Sequence, residues 1–149
     1  MEIVKAKIEH LDVIYPLFDS YRVFYGQKSD INVARKFIES RLNNNESVIF
    51  LALDEQGCGL GFTQLYPCFS SVSAARTWVL NDLYVAETAR RQGVAKKLMN
   101  AAKSMGLKDN VKGLALETAE SNVNAQKLYE SLGYERESGT YHYFLKLQA

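Results

Sequence analysis

W-V-L-N-D-L-Y-V-A-E-T-A-R-R-Q-G-V-A-K-K-L-M-N-A-A-K-S-M, residues 78–105, changes character halfway along. Trp78 to Val85 is rich in β-branched, aromatic and other apolar residues and reads as a largely buried strand. Val94, Ala95, Leu98, Ala101, Ala102 and Met105 recur at helical spacing and predict a helix. A short polar loop joins the two. A helix starting just after Gly93 leaves its first N–H groups without intrahelical partners and sets the positive end of its dipole at that loop. Glycine lets a backbone approach a phosphate with no side chain between, and Arg90 and Arg91 add positive charge. The loop therefore reads as a pyrophosphate site or as an ordinary strand-to-helix turn carrying two solvated arginines. One glycine does not choose between them.

Upstream, Met1–Lys7 alternates weakly and reads as a first strand. Apolar residues from Leu11 to Tyr25 suit a helix, with Pro16 tolerable only near its first turn and Gly26 as the stop. Ser29 or Asp30 caps a second helix with a buried stripe of Val33, Phe37, Ile38 and Leu42, broken by Asn43-Asn44-Asn45. Val48–Leu53 and Gly59–Tyr66 form a hairpin about the Asp54–Gly57 turn, so G-C-G-L-G at 57–61 is hairpin chemistry and not a nucleotide fingerprint. Pro67–Ala75 reads as a polar loop. Downstream come a loop at Leu107–Lys112, a strand at Gly113–Thr118 and a helix introduced by Asn122 and Asn124 and closed by Gly133. Tyr134 and Tyr141–Leu147 supply one or two last strands. The plan is α/β, with antiparallel and parallel parts.

The chain has 149 residues, which fits one domain with a sizeable core. Eighteen basic against 17 acidic residues give none of the positive bias of a nucleic-acid binder. The longest apolar run, Val48–Leu53, is too short for a bilayer, and M-E-I-V-K-A-K lacks the apolar core of a signal peptide. A cytoplasmic protein without a membrane partner is expected. Cys58 and Cys68 make no disulfide framework, and no Cys or His cluster has metal-ligand spacing. His10 and His142 read as solvated or structural. Asn45-Glu46-Ser47 fits a glycosylation acceptor, but without a secretory signal it carries no weight.

Two motifs carry a resemblance. R-R-Q-G-V-A, with Arg90, Gly93 and Ala95, resembles the Q/R-x-x-G-x-G/A loop of the GNAT superfamily of N-acetyltransferases. N-V-N-A-Q-K-L-Y-E-S-L-G-Y, residues 122–134, resembles the N-x-x-A-x-x-L/F-Y-x-x-x-G-F/Y helix of the same family, matching at Asn122, Ala125, Leu128, Tyr129, Gly133 and Tyr134. By itself each motif also suits a plain capped element; their order and separation point to the family. The resemblance covers about residues 48–147 well and the N-terminal helices in outline.

It implies a GNAT fold over residues 1–149, a mixed sheet of about six to seven strands with flanking helices, splayed between strands 4 and 5. It implies acetyl-CoA as co-substrate, its pantetheine arm pairing with Leu83, Tyr84 and Val85 and bonded by Asn122. The pyrophosphate would then rest on the loop of Arg90, Arg91, Gln92, Gly93, Val94, Ala95 and Lys96. The implied reaction passes an acetyl group to a primary amine by direct attack through a tetrahedral intermediate. A thiolate of pKa ~8.5 leaves more easily beside a neutral acid, and Tyr129 holds the family's position for one.

The attacking amine, of pKa ~10.4, must first lose a proton. Some relatives place a glutamate where this chain has Asn81, which can orient a water but cannot take the proton. Asp82, the candidate base, and Glu117 are the nearest carboxylates in sequence, but regular strand alternation points Asn81 and Asp82 to opposite faces, which leaves the base unassigned. The family plan brings Tyr21, Arg22, Tyr25, Tyr66 and the serine-rich loop together around the acceptor, which is a small amine or a peptide. Two further readings stand beside the enzyme: a catalytically reduced acyl-CoA-binding module, suggested by Asn81, and an interaction subunit, since small family members often pair as homodimers through their last strands.

Overall fold

A computed structural model describes residues 1–148 and divides into two compact units, 1–117 and a second beginning at Thr118. In the first unit, five strands lie in the order β1 (Glu2–Lys5), β2 (Val48–Leu53), β3 (Gly59–Ser70), β4 (Ala75–Val85) and β5 (Leu114–Ala115). Neighbours are antiparallel as far as β4, and β4 and β5 are parallel. Helices α1 (Leu11–Phe24) and α2 (Ile31–Asn43) connect β1 to β2, and α3 (Val94–Lys108) makes the crossover from β4 to β5. The second unit holds α4 (Val123–Ser131). No helix among the described residues is long and apolar enough to cross a membrane.

Local chemistry accounts for the boundaries. Asp30 caps α2, its carboxylate accepting from the N–H of Val33 at 3.1 Å. In the β2–β3 turn, Oδ1 of Asp54 accepts from the N–H groups of Gln56 and Cys58 at 2.9 and 2.8 Å. Register then sorts the side chains. Ile49, Leu51 and Phe62 face α1 and α2 and join Leu11, Ile14, Leu17, Phe18, Ala34 and Ile38 in one buried cluster. Phe50, Ala52, Leu65, Trp78 and Leu80 take the other face, against which α3 lays its buried Leu98, Met99 and Ala102. Burying a side chain of this size is worth about 1.5–3 kcal/mol, so the two layers fix the sheet firmly.

The ladder between β4 and β5 joins only Trp78 to Leu114 and Val79 to Ala115. Beyond Val79, β4 runs on to Val85 bonded to β3 alone among the described residues, which is the expected splay between strands 4 and 5.

Several expectations need correction. Among the described residues the sheet has five strands, not six to seven, because Tyr134 and Tyr141–Leu147 enter no ladder. Tyr141, Tyr143, Phe144, Leu145 and Leu147 stay exposed: alternation describes a surface able to pair, and a strand exists only where a neighbour supplies the bonds. β5 is two residues long for the same reason, and α3 continues to Lys108 through what reads as a loop. Pro67–Ser70 is strand, paired with Ala75–Trp78, and the loop shrinks to the hairpin tip. Pro16 lies past the first turn of α1, giving up one N–H bond to the exposed Asp12. The buried residues of α2 are Ala34 and Ile38, whereas Val33 and Phe37 remain exposed. Phe37 still stacks on Phe18, with ring centroids 5.3 Å apart.

Candidate active site

The register of β3 on β4 slips at one place. Gln64 pairs with Asp82 and Leu65 with Leu80, leaving Asn81 as the extra residue of a β-bulge. A bulge breaks period-two alternation. Leu80 and Asp82, two apart, take opposite faces because their partners Leu65 and Gln64 are adjacent, and Asp82 joins the face covered by α1. Asn81 turns the same way: its Nδ2 donates to Oδ1 of Asp82 at 2.8 Å. The expectation that Asn81 and Asp82 point apart fails for this reason, since it assumes a regular strand.

Asp82 is 2% exposed. Nε2 of Gln64, itself fully buried, donates to its Oδ2 at 2.6 Å, and Oγ of Ser47 donates to Oε1 of Gln64 at 2.7 Å. Oγ1 of Thr63 donates to the Asp82 carbonyl at 2.7 Å. Burial pushes the Asp82 carboxyl above the usual carboxylate range, while bonds from Asn81, Gln64 and Tyr21 pull it back. Burial is the larger effect, so the net shift is upward.

Two tyrosines converge on it. The Tyr21 hydroxyl donates to the Asn81 carbonyl at 3.3 Å and also lies within reach of the Asp82 carboxylate. Burial first, and the Asp82 charge second, raise its pKa. The same two causes push the Tyr66 hydroxyl up to about 12. Both phenols are therefore protonated across the physiological range. Tyr25 packs edge-on against Tyr21 at 5.0 Å, and Arg22, next along α1, keeps Nη1 buried without a hydrogen-bond partner among the described residues. The serine-rich tip does not join this group. Along β4 from Ala75 to Asp82 the strand rise carries it ~23 Å away.

At the far end of β4 a second feature is built from backbone. The chain leaves Val85 through a 3-10 turn at Glu87–Ala89 and enters α3 at Gly93, whose φ is +77°. Among the described residues no side chain caps that helix end, and a Cβ on Gly93 would meet open space. The N–H groups of Val94, Ala95 and Lys96 therefore face an unobstructed approach. Buried Val94 anchors the first turn. Arg91 adopts φ +64°, a left-handed conformation that costs a non-glycine residue on the order of 1 kcal/mol and shapes the loop further. Arg90 is partly occupied: Nε donates to the Val85 carbonyl at 3.1 Å, and its guanidinium lies over the rings of Tyr84 and Phe24 at 5.8 and 5.9 Å. Gln92 reaches back to the Thr88 carbonyl at 3.5 Å. Leu83, Tyr84 and Val85 are all half-buried on the strand leading into the loop.

In the second unit, Oδ1 of Asn122 caps α4, accepting from the N–H of Ala125 at 3.3 Å. Tyr129 lies on that helix with its ring 6.2 Å from that of Tyr134, and Gly133 takes φ +95° as the helix stop requires. The Tyr134 hydroxyl is buried without a partner among the described residues, and burial raises its pKa.

Sequence reasoning missed Gln64 and Ser47. The signal was present as a glutamine inside the apolar strand G-F-T-Q-L-Y. His10 proves structural, its Nδ1 accepting from the N–H of Lys7 at 2.9 Å. No cluster able to hold a metal occurs among the described residues.

Comparison with known proteins gives the family. An uncharacterized N-acetyltransferase, YhfO, of Bacillus subtilis is 46% identical over 149 residues, covering 100% of this chain and 99% of its own. A probable acetyltransferase of Haemophilus influenzae is 33% identical over 135 residues, covering 91% of this chain and 90% of its own. The crystal structure of a probable acetyltransferase superposes with a TM-score of 0.94 at 49% identity, covering 100% of this chain and 99% of that one. The profile of the Acetyltransferase (GNAT) family matches residues 11–134, and the chain belongs to that family.

Proposed function

We propose that the protein transfers the acetyl group of acetyl-CoA to a primary amine of a small molecule or peptide, acting as a single catalytic domain over residues 1–149. The observation that carries this reading is the bulge at Asn81, which brings a buried carboxyl to the open half of the strand that leads, through the Glu87–Ala89 turn, to the α3 N-terminus. The residues suit the co-substrate. The N–H groups from Arg91 to Lys96 would receive the pyrophosphate, and the unladdered backbone of Leu83–Val85 would pair with the pantetheine arm; the part of Asn122 in bonding that arm rests on the family resemblance alone. When bound, acetyl-CoA supplies an activated thioester.

The chain's own groups handle the protons. Asp82 acts as base and takes the amine proton by way of the Tyr21 hydroxyl, which accepts one proton as it passes its own inward. Asn81 holds Oδ1 of the carboxylate in place. The family resemblance gives Tyr129 the part of acid to the departing thiolate. Tyr21, Tyr25 and Tyr66 wall the acceptor, and the unpartnered Nη1 of Arg22 favours one that also carries a carboxylate. The bulge also weakens the reading as a catalytically reduced module, which rests on asparagine at position 81, because the carboxylate is supplied one residue later.

The test is thiol release from acetyl-CoA against polyamines, amino acids, aminoglycosides and peptides. Turnover with at least one amine, lost in Asp82→Asn, is the expected result. Acetyl-CoA binding without turnover on any acceptor would favour the binding module.

A further inference from the structure

We propose that Gln64, turned by Ser47, is the positioning residue that lets the buried Asp82 carboxyl exist both with and without its proton. The proposal rests on the reading of Asp82 as base. With Asp82 ionised, Nε2–H of Gln64 donates to Oδ2 at 2.6 Å, and Oε1 accepts from the Ser47 hydroxyl at 2.7 Å. When a proton arrives on Oδ2 the carboxyl becomes a donor there, and an N–H pointing at it would be unpaired. Rotating the amide by a half-turn presents Oε1 to the new O–H and Nε2–H to Ser47, whose hydroxyl accepts as readily as it donates. The bond between Gln64 and Asp82 and the bond between Gln64 and Ser47 are both kept in either state.

That matters because Gln64 is fully buried, so water cannot fill a missing bond, and an orphaned buried group carries its whole desolvation cost. The position tolerates few alternatives. Glutamate would set a second charge against Asp82, and methionine would fill the space while offering neither donor nor acceptor. The other groups facing Asp82 are its neighbour Asn81, Tyr21 from α1 and Tyr66 from β3, with Arg41 and Glu46 acting on Tyr66. Gln64 also bonds Tyr66, but that hydroxyl ionises only near 12, above the range in which the carboxyl is followed.

The experiment compares wild type, Gln64→Met and Ser47→Ala in the full chain. It follows the Asp82 carboxyl by carbon-13 NMR titration of the free protein and kcat/KM for acetyl transfer against pH. Gln64→Met should move the Asp82 midpoint upward, because the charged form loses the stronger bond. Ser47→Ala should move it less in the same direction. Below neutrality kcat/KM should fall roughly 10- to 100-fold in Gln64→Met and recover at higher pH, with KM for acetyl-CoA unchanged. A residue that merely packs would lower activity equally at every pH. An unmoved Asp82 midpoint in both variants overturns the proposal, and Ser47→Ala removes only a hydroxyl, so it serves if Gln64→Met does not fold. A shifted midpoint with an unshifted activity profile would support the Gln64–Asp82 coupling and overturn the reading of Asp82 as base.

Discussion

The two halves of β4 obey different rules. From Trp78 to Leu80 the strand pairs with β3 throughout and with β5 at Trp78 and Val79, and it buries Trp78 and Leu80 against the α3 layer. From Asn81 to Val85 it bonds β3 alone among the described residues, carries a bulge, and buries a carboxylate in place of a hydrocarbon. The first half holds the sheet together. The second gives up a row of backbone bonds and some core, and gains an open strand edge with a protonatable group beside it. On the proposed reading the 11 residues of one strand separate stability from chemistry, and substitutions should respect the boundary at the bulge.

Asp82→Asn should have the largest effect. General base catalysis by a positioned group is typically worth ~10²–10⁴-fold, so kcat/KM should fall by about that factor and lose its rise with pH. Stability should respond in the opposite sense. Burial raises the Asp82 pKa in the folded state, so the native protein binds the extra proton between the ordinary carboxylate range and the raised value. Stability from this group is full below the unfolded pKa and is lost as pH rises through the folded one. An amide at this position has no such loss, so denaturant melts across pH should show the Asp82→Asn variant gaining on wild type as pH increases. Tyr129→Phe should cost a similar factor in kcat, partly recovered with an acyl donor whose thiol is more acidic. Wild-type kcat with chemistry limiting would reduce Tyr129 to packing.

On the other side of the bulge, Leu80→Ala should destabilise by about 2–5 kcal/mol, since Leu80 is 3% exposed in the α3 layer. Activity per folded molecule should persist, and a selective loss of kcat instead would erase the boundary. Gly93→Glu acts at the end of the second half. A ligand at about 100 times its dissociation constant adds ~2.7 kcal/mol to the folded state. Acetyl-CoA should raise the melting temperature of wild type and not of this variant, because the glutamate puts negative charge into the open space at Gly93.

The apolar half was the legible one. Trp78, Leu80 and the α3 stripe announce themselves by period, and the α3 start was readable from Gly93 because its φ of +77° and absent side chain suit that turn. The bulge left no such mark: N-D inside a strand looks the same with or without an inserted residue, and its register is fixed by β3, 18 positions away at Gln64. Tyr141–Leu147 misled for the converse reason, since a sequence able to form a strand says nothing about whether an edge is there to receive it.

The smallest and most specific test is Asn81→Ala. Asn81 is exposed, and its Nδ2 donates to Oδ1 of Asp82 at 2.8 Å, so unlike Gln64 it can be replaced by water when removed. The backbone of the bulge should survive, because the extra residue is set by the Gln64–Asp82 and Leu65–Leu80 pairings and not by the Asn81 side chain. A hydrogen bond exchanged for water is worth about 1 kcal/mol, so kcat/KM at low pH should drop only about fivefold. The Asp82 midpoint should rise slightly, since the charged form loses one donor, and the melting temperature should stay nearly fixed. If Asn81→Ala instead costs as much as Asp82→Asn, Asn81 itself orients the attacking amine or its water, and the base would have to be sought outside Asp82.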